Sequence, residues 1–166
     1  MKLPKIDEDY IRSAFFGLQD GLVSTTGVVV GISAGVNDRS IVLLASLVAV
    51  TVEASSMAAG QYSSEKAVHQ MNKIPGRHKD SLLVGALIMF FAYLGAGMIP
   101  ILPVIIVGPP TSSYYGVTFA LIGLFLVGFL RGKITGEKPI RNAIELLVIG
   151  GTATFVGLIV GYFLKV

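Results

Sequence analysis

Residues 17–31 read GLQDGLVSTTGVVVG. The stretch is apolar enough for a membrane helix, yet it carries a carboxylate, Asp20, in its interior. Small residues recur four apart: Gly17 and Gly21, then Gly27, Gly31 and Gly35. A charge at the centre of a bilayer costs at least ~3 kcal/mol on insertion scales. A chain keeps one there only against a partner, a water-filled path or an ion. Small residues at that spacing let two helix backbones approach closely. Together these features predict a polar site on a tightly packed helix, with function running through Asp20.

The composition agrees with a membrane setting. The 166 residues are 53% hydrophobic and 14% charged, against roughly 25% charged in soluble domains. The mean hydropathy is +0.76. The expected fold class is therefore all-α, one transmembrane domain over residues 1–166. The net charge of +3 is no nucleic-acid signal, because the basic residues sit in short loops. Cysteine is absent, which excludes disulfides and thiolate metal sites. The start of the chain, MKLPKIDEDYIRSAFF, is too acidic at Asp7-Glu8-Asp9 for a cleaved signal and reads as an amphipathic lead-in at the interface.

Five apolar segments are long enough to cross ~30 Å of hydrocarbon as helices. They run from about 11–36, 40–62, 81–101, 111–130 and 143–164. Ser63 to Gln70 extend the second span toward water, and Pro100 and Pro103 are expected to end or kink the third. Val104 to Tyr115 then read as a connection, with Tyr114 and Tyr115 suited to a headgroup belt. Residues 131–141, RGKITGEKPIR, read as a basic loop. Lysine and arginine divide unevenly between alternate sides. Lys2, Lys5, Arg12, Lys66, Lys73, Arg77, Lys79, Arg131, Lys133, Lys138 and Arg141 fall on one side, and Arg39 and Lys165 on the other. The positive-inside rule then predicts a cytoplasmic N-terminus and an outside or luminal C-terminus. An odd number of spans disfavours an inverted-repeat carrier within one chain, so a transport path would form between subunits.

Polar residues inside the spans are few. Asp20 shares a helix face with Gly17 and Ser24, with Arg12 two turns back. It reads either as a transport carboxylate or as a structural one bonded to hydroxyls. On the second span Glu53, Met57, Gln61 and Glu65 recur four apart. The stripe drifts about 40° per step, so Glu53, Met57 and Gln61 are expected on one side and Glu65 off it. A carboxylate beside a thioether favours softer first-row metals over magnesium or calcium. Met57 alone reads equally as packing. Glu145, near the start of the fifth span, reads as solvated and structural, and Met89 and Met98 read as core. His69 and His78 lack metal-ligand spacing and are expected on the surface. No histidine lies in a span and Asp20 is the only aspartate within one, so serine-histidine and two-aspartate chemistries are disfavoured. No phosphate-cradling glycine loop is present. The expectation is a protein that is not an enzyme.

DGLVSTTGVVVG at 20–31 followed by SSMAAGQYSSEK at 55–66 resembles the vacuolar iron transporter family. The similarity continues through GAGMIPILP at 95–103, LVGFLRGKITG at 126–136 and ELLVIGG at 145–151. It implies a five-helix homodimer with its ion path between the first helices. It also implies export of ferrous iron, and of manganese, from the cytosol in exchange for protons. Asp20 and Met57 match the family's membrane aspartate and pore methionine, and Glu53 would be a further metal site. Gln61, Glu65 and Ser24 are candidate proton or path residues. Gly17, Gly21, Gly27 and Gly31 would serve helix packing, fitting a dimer axis on the first helix. Two departures stand out. The long acidic insert of plant and fungal members is here short and basic, and Gln61 replaces the usual glutamate. The chain thus looks like a short prokaryotic-type member in a plasma membrane, or in a vacuolar-type membrane if eukaryotic. No permanently bound cofactor and no nucleic-acid partner are expected; the partners are lipid, divalent metal, protons and a second copy. A passive divalent-cation channel and a non-transporting scaffold or regulatory subunit remain the alternatives.

Overall fold

The computed structural model describes residues 8–72 and 79–164. These form five helices: α1 Glu8–Gly35, α2 Arg39–Asn72, α3 Lys79–Ile106, α4 Thr111–Thr135 and α5 Pro139–Phe163. All five are long and apolar enough to cross a bilayer. The chain is an integral membrane protein, because in hydrocarbon a spanning helix satisfies its own backbone hydrogen bonds.

Local chemistry sets the helix ends. Glu8 and Asp9 occupy the first turn of α1, where the helix dipole favours negative charge. The Asp38 carboxylate accepts the backbone N–H of Ser40 at 2.8 Å and of Ile41 at 3.1 Å. It thereby caps the first turn of α2. Gly136 closes α4 in the left-handed conformation, φ 75°, which favours glycine. Pro139 opens α5, where its missing N–H costs nothing.

The helices overrun several expected boundaries. α3 continues through Pro100 and Pro103 to Ile106 instead of ending near them. Neighbouring helices stabilise such a stretch by packing on it: Pro100 and Pro103 are both buried, and a Cβ on Gly116 of α4 would lie 3.1 Å from the Pro100 carbonyl oxygen. The expected connection at 104–115 therefore shrinks to 107–110. Most of the basic stretch at 131–141 is likewise helical, with α4 reaching Thr135 and α5 starting at Pro139. The second span extends to Asn72, as its polar end suggests.

α1 is the hub. It packs on each of the other four helices, while α2, α3, α4 and α5 touch in sequence around it. The ring stays open between α2 and α5, which make no contact with one another. Glycine permits the close approach of the hub to its neighbours. A Cβ on Gly17 would lie 2.8 Å from the Met89 carbonyl oxygen of α3, and one on Gly31 would lie 2.7 Å from that of Gly157 on α5. Gly27 and Gly35 face Ala153 and Gly161 of α5 in the same way. Within the chain, the tight partners of the glycine ladder are α3 and α5.

Candidate functional site

Two polar clusters lie along the seam between α1 and α2, with α3 closing one side. The inner cluster centres on Glu53. Ser24 Oγ of α1 donates to Glu53 Oε2 at 2.7 Å, and the Tyr93 hydroxyl of α3 donates to the same oxygen. Hydroxyl donors to an ionised carboxylate form strong, charge-assisted bonds. They also tie three helices to one side chain. Glu53 Oε1 accepts no bond from a described residue.

Asp20 is half-buried on α1, one turn before the Ser24 that bonds Glu53. Among the described residues it forms no hydrogen bond or ion pair. Arg12 does not reach it. That guanidinium instead pairs with Glu65 at 3.0 Å and Asp9 at 3.3 Å. The structural alternative for Asp20, a carboxylate bonded to hydroxyls or to Arg12, is therefore not what the geometry shows.

The outer cluster sits nearer the start of α1. Gln61 Nε2 donates to Ser13 Oγ at 3.0 Å and to Glu65 Oε1. Asp9, Arg12, Gln61, Ser64, Glu65 and Val68 line a polar cavity of about 280 Å³ there. Glu65 thus shares the seam with Gln61, contrary to the expected drift. The two lie one helical turn apart, and the long Arg12 side chain reaches Glu65 from α1. From Ser13 to Ser24 the seam climbs roughly 16 Å along α1. The bonded partners on α2 descend from Gln61 to Glu53, as antiparallel neighbours require.

Met57 lies one turn from Glu53 and two from Glu65. It is half-buried against the apolar cluster that holds Ala54, Val50 and Tyr93. Ser55 and Ser56 are exposed. Met89 is buried, Met98 packs on the core cluster that holds Val29 and Ile101, and Glu145 is exposed, all as expected. His69 is half-buried rather than on the surface, and His78 lies outside the described residues. Among the described residues no three His, Cys, Asp or Glu side chains gather to hold a metal.

Tyr93 is the site residue that sequence reasoning overlooks. Within FFAYLGAG it looks like one more packed aromatic. The available signal was its hydroxyl, since a phenol deep in an apolar span needs a hydrogen-bond partner.

The VIT family model matches residues 11–78 and 69–162. The chain is 30% identical over 153 residues to vacuolar iron transporter homolog 4 of Arabidopsis thaliana, covering 86% of this chain and 77% of that protein. Homolog 1 of the same plant is 26% identical over 156 residues, covering 86% and 76%. Vacuolar iron transporter 1 of Arabidopsis thaliana is 34% identical over 73 residues, or 43% of this chain and 29% of that protein.

Proposed function

The chain belongs to the VIT family, and from that premise we propose that it exports ferrous iron, with manganese as a second cargo, in exchange for protons. It is a metal-ion transporter of the membrane. The observation that carries the finer reading is that Asp20 lies one helical turn from Ser24, the hydroxyl bonded to Glu53, while no cation of the described residues pairs with either carboxylate. Two carboxylates that repel each other in a medium of low dielectric favour capture of positive charge. A divalent metal supplies it in one step and protons supply it in another. Because both cargoes occupy the same oxygens, loading one expels the other, and that competition is the exchange.

Each residue then has a role. Asp20, unbonded and half-exposed, is the mobile ligand. Glu53 is the fixed one, its Oε2 held by Ser24 and Tyr93 and its Oε1 left for the ion. Met57, a turn away, offers sulfur, which favours ferrous iron over magnesium. The cavity at Gln61 and Glu65 is the cytosolic mouth under the expected topology.

One chain supplies two carboxylates and one thioether, and a second copy would double that set. The open sector between α2 and α5 is the place for it. Asp20, Ser24 and Val28 on α1 are only partly buried, and Ser56 and Gly60, on the Glu53 side of α2, are exposed. Lipid is a poor cover for such a polar, small-residue face, whereas a second helix suits it. Ser24 and Val28 line an open groove there together with Gly27, Gly31 and Gly35, and that groove is the place for a helix of the second copy.

The test is counter-transport in sealed vesicles, with and without an imposed pH gradient. The expected result is ferrous iron flux that moves protons the opposite way, with both abolished by Asp20→Asn while the protein remains folded. Metal flux that never moves protons would make the protein a passive channel. Undiminished coupled flux in Asp20→Asn would remove the carboxylate mechanism.

A further inference from the structure

A groove of about 580 Å³ lies between the first turns of α1 and the last turns of α4, away from the α1–α2 seam. Phe15, Phe16 and Ile134 form its apolar walls. It opens to the outside of the bundle, since Phe16 is 48% and Ile134 58% exposed. Charge is distributed unevenly around it. Arg12 also lines the groove, but its guanidinium is committed to Asp9 and Glu65. Glu8 on α1 and Arg131 on α4 contribute one charge of each sign. Among the described residues neither belongs to an ion pair, with the other or with any third group.

Opposite charges held apart on two walls, above an apolar channel at a bundle end, match a zwitterion with a hydrocarbon tail. We propose that this groove seats one phospholipid with a primary-amine headgroup. Its phosphate rests on the Arg131 guanidinium, its ammonium on the Glu8 carboxylate, and an acyl chain on Phe16 and Ile134. Guanidinium is well suited to phosphate because its planar donors match the phosphate oxygens. A primary ammonium donates hydrogen bonds to a carboxylate; a trimethylated one has no N–H to donate. A purely anionic headgroup would meet Arg131 but be repelled by Glu8. The inference rests on the groove and on membrane embedding alone, not on the transport reading.

The test is native mass spectrometry of the full chain in detergent, titrated separately with phosphatidylethanolamine, phosphatidylcholine and phosphatidylglycerol. The ethanolamine and choline headgroups carry the same charges and differ by the N–H donors, and one net hydrogen bond is worth about a fivefold change in binding. Phosphatidylethanolamine should therefore bind the wild type about fivefold more tightly than phosphatidylcholine, and more tightly than phosphatidylglycerol, which lacks the cation for Glu8. Glu8→Gln should remove the preference over phosphatidylcholine. Arg131→Gln should weaken all three lipids, and Arg131→Lys should recover part of the loss. Lys133→Gln is the control, because that ammonium lies over the Phe129 ring at 5.0 Å, outside the groove. Equal binding of the ethanolamine and choline lipids to the wild type would overturn the proposal without any variant. So would preference for phosphatidylglycerol, or wild-type lipid binding by Arg131→Gln.

Discussion

Tyr93 donates its phenolic hydrogen to Glu53 from a position only 1% exposed, so a ring buried in the core on α3 holds a carboxylate on α2. Removing the hydroxyl separates its two roles. Tyr93→Phe keeps the ring in the cluster with Val50, Ala54 and Ile101 and leaves Ser24 as the one donor to Glu53 among the described residues. A hydrogen bond to a charged group contributes about 1.5–3 kcal/mol. The variant should melt at a lower temperature in detergent and bind ferrous iron roughly tenfold more weakly, with the helix content unchanged. An unaltered melting temperature together with unaltered iron affinity would mean that the hydroxyl is incidental.

The crossing of α1 and α5 gives a second prediction. A Cβ on Gly31 would press on the Gly157 carbonyl oxygen at 2.7 Å, and backbone cannot swing aside as a side chain can. Overpacking of this kind costs about 1–3 kcal/mol. Gly31→Ala should therefore lower thermal stability in detergent. Gly151→Ala on the same helix pair should not, since nothing lies within 4 Å of a Cβ there. Because the contact is within one chain, Gly31→Ala should destabilise the protein equally at all protein concentrations. A concentration-dependent loss would place the ladder at a subunit interface as well.

The contrast between the ladder and its partners shows what the sequence can convey. A glycine every fourth residue specifies that something comes close; it does not say which helix. Asp20 and Glu53 stand out because charge is scarce in these spans, but their proximity depends on the relative rotation of α1 and α2. Hydropathy alone does not set that rotation. Pro100 and Pro103 mislead for a different reason. Proline ends helices where the freed carbonyls can turn to water, whereas here both rings are buried against the bundle and the helix runs on. Tyr93 is silent in the sequence because an aromatic in an apolar run looks the same whether its hydroxyl is bonded or not.

At the outer cavity Arg12 holds two carboxylates, Asp9 and Glu65, that a metal would otherwise attract. The arginine is 62% exposed, and exposed pairs contribute only ~0–1 kcal/mol. Arg12→Gln should thus leave the melting temperature nearly unchanged. It should nevertheless raise metal flux at low metal concentration, since a competing positive charge has left the mouth. The gain should shrink in high salt, which screens exposed charges at distances beyond about 10 Å at 0.1 M. Flux that falls in Arg12→Gln would instead assign the arginine a supporting role in shaping the cavity.

Met57 poses the choice between packing and ligation, and the two make opposite forecasts. Leucine has nearly the same volume, and such swaps in a core cost less than about 1.5 kcal/mol. If the thioether only fills space against Ala54 and Tyr93, Met57→Leu changes stability slightly and leaves metal preference alone. If the sulfur meets the ion beside Glu53, the substitution removes the one soft donor on that stretch of α2. Affinity for ferrous iron should then drop several-fold while that for magnesium, which prefers oxygen, stays the same. Competition between the two metals for transport in vesicles measures the ratio directly. We expect the ratio to shift toward magnesium, because carboxylate oxygens alone cannot favour iron as strongly as a set that includes sulfur.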